Sequence, residues 1–87
     1  NTYTLKVINK AQYEQTFNID VQGLENFKYI GKQTFTVQAG QSHNVPLSLV
    51  MDPYDLKVPM TEFNFVLSPV NDPDESISQP SNFFKAR

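Results

Sequence analysis

Thr16-Phe17-Asn18-Ile19-Asp20-Val21 alternates apolar and polar residues without a break. A period of two puts Phe17, Ile19 and Val21 on one face and the polar residues on the other, the pattern of a half-buried β-strand. On the N-terminal side, Tyr3, Leu5 and Val7 alternate with Thr4, Lys6 and Ile8, which predicts a strand from Thr2 to Ile8, ordered from almost its first residue. Asn9-Lys10-Ala11-Gln12 reads as a polar turn, so the two strands are expected to form an antiparallel hairpin, with the first held against Phe17, Ile19 and Val21.

On the C-terminal side the same grammar repeats. Phe27–Ile30 is a short apolar run bounded by Gly31, and Thr34–Val37 alternates up to a Gln38-Ala39-Gly40 turn, where glycine can take φ > 0. From Asn44 to Met51, Val45, Leu47, Leu49 and Met51 share a face. Pro46 has no N–H for a ladder, which places it near a strand start or on a sheet edge. Asp52 to Asp55 reads as a turn. Glu62 to Leu67 brings in Phe63, Phe65 and Leu67, and Ser68 to Glu75 is a polar, proline-bearing hairpin loop. The last strand, Ser76 to about Phe84, carries Pro80 and so is expected at an edge or with a bulge. No window has helical periodicity. Six or seven short strands with turn residues between them predict an all-β, immunoglobulin-like (fibronectin-type) antiparallel β-sandwich filling residues 1–87 as one domain.

Composition narrows the function. A chain of 87 residues buries only about 60–65% of its unfolded surface, and seven Phe and four Tyr supply bulk for so small a core. No cysteine is present, which excludes a disulfide, a thiolate metal site or an iron–sulfur cluster in these residues but leaves the compartment open. Seven basic and nine acidic residues are scattered singly, for a net charge of −2. No basic stripe exists to neutralise phosphates, and nucleic acid is not an expected partner. The longest apolar run is far short of the roughly 20 residues of a membrane helix.

Catalytic chemistry has little to build on. His43, the only histidine, reads as a solvated turn residue ahead of a strand. Ser42, His43 and an Asp could compose a triad on paper, but no nucleophile elbow accompanies them. The Asp72–Glu75 loop lacks the glycine and alternate oxygens of a calcium loop, and Asp52 with Asp55 meets the same objection. Met51 and Met60 offer soft thioethers to copper(I), yet at strand positions methionine is more often core filler. Catalytic, cofactor and metal residues are therefore all expected to be absent. Tyr13, Tyr29 and Tyr54 fall off the inward faces and are the candidate exposed aromatics.

The combination Tyr3-x-Leu5-Lys6-x-x-Asn9-Lys10, Gln15-Thr16-Phe17, Val21-x-Gly23-Leu24, Phe35-Thr36-Val37-x-x-Gly40 and Val45-Pro46-Leu47 resembles the C-terminal Ig-like domain of the FixG/RdxA/CcoG family. The resemblance spans most of the chain. It implies a fragment of a larger protein of the bacterial inner membrane, with two [4Fe–4S] clusters, that serves assembly of cbb3-type cytochrome c oxidase and handles copper. It further implies a periplasmic, non-catalytic accessory domain, preceded by another strand and docking on an oxidase subunit, a copper-delivery protein or a second copy. Two alternatives stand beside it: a domain that handles copper directly through His43, Met51 or Met60, and a generic extracytoplasmic Ig-like adhesion module.

Overall fold

The computed structural model of the chain describes residues 1–52, 54 and 57–85. Seven strands form: β1 (Thr2–Ile8), β2 (Gln15–Gln22), β3 (Phe27–Gly31), β4 (Thr34–Val37), β5 (Ser42–Met51), β6 (Met60–Pro69) and β7 (Ile77–Phe84). They make two antiparallel sheets, one ordered β1-β5-β3 and the other β4-β2-β6-β7. The predicted alternation is the observed one. Val7, Phe17, Ile19, Phe35, Val37, Val45, Leu47, Leu49, Phe63, Phe65 and Phe83 fill the space between the sheets, with Tyr3, Leu5, Val21 and Leu67 partly buried against them.

The hairpin expected of β1 and β2 does not form. β1 pairs with β5, and β2 lies in the other sheet between β4 and β6. Among the described strands only β6 and β7 are both consecutive and paired; every other connection crosses from sheet to sheet. Alternation cannot distinguish a hairpin from such an arch, because both present one apolar face inward. The side chains of Phe17, Ile19 and Val21 turn into the core between the sheets, and β2 forms no ladder with β1.

What turns the chain over is Asn9, read above as part of a polar turn and here fully buried. Its backbone N–H donates to Gln41 O at 3.0 Å, and its carbonyl accepts from Gly40 N at 3.0 Å. Its side-chain Nδ2 donates to Tyr13 O at 2.9 Å and to Val37 O at 3.0 Å, while Oδ1 accepts from Ala11 N at 3.0 Å. One side chain thus ties the β1–β2 arch to the β4–β5 turn, in which Gly40 adopts the positive φ (71°) expected of it.

The two strand prolines expected at edges differ. Pro80 lies on β7, a true edge. Pro46 is the fifth residue of the central strand β5. There Leu49 exchanges both backbone bonds with Asn1, so by antiparallel alternation odd residues of β5 face β1 and even ones face β3. Pro46 therefore points toward β3, just past the last β3 pair, Gly31 with Leu47. Its missing donor costs no ladder bond. Pro69, expected in a loop, is buried at the end of β6 and pairs with Phe17. Of the expected Asp52–Asp55 turn, Pro53 and Asp55 lie outside the described residues.

Candidate interaction surface

The structure does not assemble the residues with possible chemistry. His43 is not in a turn: it is the second residue of β5, exposed, with its ring stacked on Phe35 at a centroid distance of 5.8 Å. Met51 ends the same ten-residue strand, roughly 27 Å away at the rise of a β-strand. Met60 starts β6, exposed, opposite Phe84. A shared copper site of His43, Met51 and Met60 is ruled out by that span. Among the described residues no three His, Cys, Asp or Glu side chains gather. Ser42 pairs with Ile8 at a strand end, and Asp72, Asp74 and Glu75 are exposed in a turn closed by Glu75 N donating to Asp72 O.

The tyrosines divide. Tyr13 and Tyr54 are exposed at 64% and 91%. Tyr29 packs against the core and donates its hydroxyl to Lys32 O at 2.9 Å. Tyr3 lies edge-on to Phe63 and Phe65 and donates to Asn82 O at 2.7 Å. Burial raises the pKa of Tyr3 and of Tyr29 above the ordinary 10.0. A raised folded-state value means stability that is present below the unfolded pKa and lost as pH rises through the folded one. The urea midpoint is therefore expected to fall as pH rises above the ordinary tyrosine value of 10.0, and Tyr3→Phe should flatten part of that fall. An identical slope in the variant would show that the Tyr3 phenol is not involved.

The feature that periodicity did not reveal is the seam between the two sheets on the β1–β7 side. At one end it is stapled: Asn1 Nδ2 donates to Phe84 O at 3.0 Å, Phe84 N donates to Asn1 Oδ1 at 2.9 Å, and Tyr3 reaches Asn82. Toward Ile8 and Ile77, no hydrogen bond among the described residues joins β1 to β7, and the sheets part. A groove of about 440 Å³ opens there, floored by Leu5, Ile19, Phe65 and Leu67 and rimmed by Ile8 and Ile77. The rim residues are 53% and 64% exposed. Among the described residues, the only charged ones lining it are Lys6 and Lys10. The opposite seam is closed by the chain itself, where Ile19 N donates to Gln33 O at 2.8 Å between β3 and β4.

Fold and surface together define an immunoglobulin-like sandwich with an open apolar groove along the β1–β7 seam and no gathered catalytic side chains among the described residues. Residues 1–86 match the family described as "IG-like fold at C-terminal of FixG, putative oxidoreductase". No curated protein matches the chain. A solved structure, a FixG-related protein from Vibrio parahaemolyticus, is similar at 42% identity and a TM-score of 0.93, with all of this chain and 79% of that one covered. The chain belongs to the FixG C-terminal Ig-like family. No helix among the described residues is long and apolar enough to cross a membrane. The iron–sulfur clusters implied by the resemblance find no thiolate in this chain, so none of its residues fits them.

Proposed function

We propose that this domain is a non-catalytic docking module of a membrane-bound FixG-type iron–sulfur protein that serves cbb3-type oxidase assembly and copper handling on the periplasmic side. The observation that carries the reading is the parted β1–β7 seam. It offers an apolar floor between two sheet edges, a surface suited to holding a protein segment and poorly suited to chemistry. Family membership supports the nature of the parent. The partner is an oxidase subunit or a copper-delivery protein, and copper is cargo of the whole protein rather than a ligand of this domain.

Replacing these 87 residues within the parent by an unrelated Ig-like domain is expected to lower assembled oxidase in membranes. The cluster content of the parent, read by electron paramagnetic resonance, should be unchanged. Normal oxidase levels in the exchanged strain would sink the docking role. Titration of the isolated domain with copper(I) is expected to give no stoichiometric binding. Tight binding lost on His43→Ala, Met51→Leu or Met60→Leu would instead favour direct copper handling, and further Ig-like repeats in the parent would favour adhesion.

A further inference from the structure

We infer that β5 receives an extended segment of the partner protein in the place that β3 leaves empty beside it. The segment carries apolar side chains opposite His43 and Val45 and an acidic one where it meets Lys32. The inference rests on the docking reading for the existence of a partner, but not on the β1–β7 seam.

The vacancy comes from unequal strand lengths. β5 has ten residues and β3 has five, and β3 pairs only with Leu47 to Met51. Gly31, at a φ of 131°, turns the chain out of the sheet, and Gln33 O then accepts from Ile19 N in the other sheet. That crossing closes the middle of the seam and leaves the first half of β5 without a neighbour on the β3 side. Odd residues of β5 bond to β1, so Ser42 and Asn44 turn their N–H and C=O groups into the empty place. Among the described residues none of these groups has a hydrogen-bond partner. A strand joined to β1 from earlier in the parent would lie on the opposite side of β5, so the vacancy does not depend on it.

The floor of the vacancy selects the side chains. A segment paired with Ser42 and Asn44 turns inward the residues opposite His43 and Val45. They enter a notch of about 330 Å³ lined by Phe35, His43 and Val45. Phe35 and Val45 are buried, and the exposed His43 ring lies over Phe35 at 5.8 Å with 16° between the planes. A slip of one residue would turn the inward side chains to solvent, so this wall fixes the register. β4 offers a neighbouring edge but a poorer template, because it has four residues and of them only Phe35 lines the notch. Charge makes the last selection. Lys32 and His43 are the only titratable side chains lining the notch among the described residues, and Lys6 lies opposite Asn44 on β1. In a chain of net charge −2 no carboxylate lines this place, so the complementary segment is acidic. Main-chain bonds supply affinity in such pairing, and side chains supply choice.

The test uses the ¹⁵N-labelled 87-residue chain and two synthetic peptides of alternating Val and Thr, one flanked by Glu at both ends and the other by Lys. The acidic peptide is expected to bind roughly fivefold more tightly at low salt. Amide shifts should centre on Ser42, His43 and Asn44, with hydrogen exchange at Asn44 slowed. Lys32→Glu, at an exposed position, should reverse the preference. Asn44→Pro removes an N–H from the vacancy while leaving the β1–β5 bonds in place, and should abolish binding with the cooperative melt retained. Methylating every second amide of the acidic peptide should abolish binding in one phase and spare it in the other, and this arm decides if Asn44→Pro fails to fold. Shifts centred on Thr34 and Thr36, equal affinity for the two peptides, or equal binding by the two methylated phases would overturn the proposal. So would slowing of Asn44 exchange that grows with domain concentration alone, marking a second copy in the vacancy. Slowing in the full-length parent without partner would mean that its own chain fills the place, and would overturn it too. Failed peptide binding with a defective domain exchange sinks only the added strand, whereas normal oxidase after the exchange sinks the docking role itself.

Discussion

Phe63→Ala or Phe65→Ala is expected to destabilise the domain by roughly 3–5 kcal/mol. Both residues are 2% exposed, and their rings meet edge to face at a centroid distance of 4.9 Å. Tyr3 lies edge-on to both, at 5.8 Å and 5.1 Å, so this trio couples β1 of one sheet to β6 of the other. Truncating either ring loses its transfer free energy and leaves a cavity that neighbours on two different sheets cannot close together. Set against a total of about 5–15 kcal/mol for a domain, such a loss approaches the whole of its stability. Thr36→Ala is the matched control on the outward face, where the hydroxyl meets only Thr16 Oγ1 at 3.0 Å in an exposed pair. That change should cost under about 1 kcal/mol. Urea titration of the three variants provides the ranking, and a larger loss for Thr36→Ala would overturn the assignment of facing.

The facing was legible because it depends on one local rule. A strand whose residues alternate can be recognised without its partner, and Phe17, Ile19, Val45, Leu47, Phe63 and Phe65 all lie where the period of two puts them. Pairing is a different kind of information. β1 meets β5 near the middle of the chain, Thr2 opposite Ser48, and nothing in the Tyr3–Val7 alternation specifies that neighbour. The number and spacing of the strands predicted the architecture as a whole, which the family match upholds, but not the pairing of any strand. The groove was illegible for a related reason. Leu5, Leu67 and Ile77 look like ordinary apolar strand positions, and only the parting of β1 from β7 turns them into a surface. His43 shows the limit from the other side. Its neighbours Gln41, Ser42 and Asn44 suggest a polar turn, whereas β5 begins at Ser42 and the imidazole stacks on Phe35.

Asn9 is where polarity misled most, and its removal is the second large effect expected. Asn9→Ala should cost about 2–5 kcal/mol, because each buried polar group left without a partner costs about 1–3 kcal/mol. The carbonyls of Val37 and Tyr13 would lose their donor and the N–H of Ala11 its acceptor, in a site that is 0% exposed and too enclosed for water to stand in freely. Asn9→Asp separates hydrogen bonding from shape. The carboxylate keeps an oxygen for Ala11 N–H but sets a second one against the carbonyls of Val37 and Tyr13, where the amide had donated. An ionised carboxylate buried among carbonyl oxygens is disfavoured, so the variant's folded-state pKa would rise above its unfolded value. By linkage its stability would be greatest below the unfolded carboxylate pKa and would fall as pH rises through the folded one. Thermal melts at about pH 4 and pH 7 should therefore show Asn9→Asp closer to the parent sequence at the lower pH, with Asn9→Ala showing no such recovery. If both variants melt within about 0.5 kcal/mol of the parent sequence, Asn9 does not hold the arch. The crossing of β1 and β2 into opposite sheets would then have to come from core packing alone.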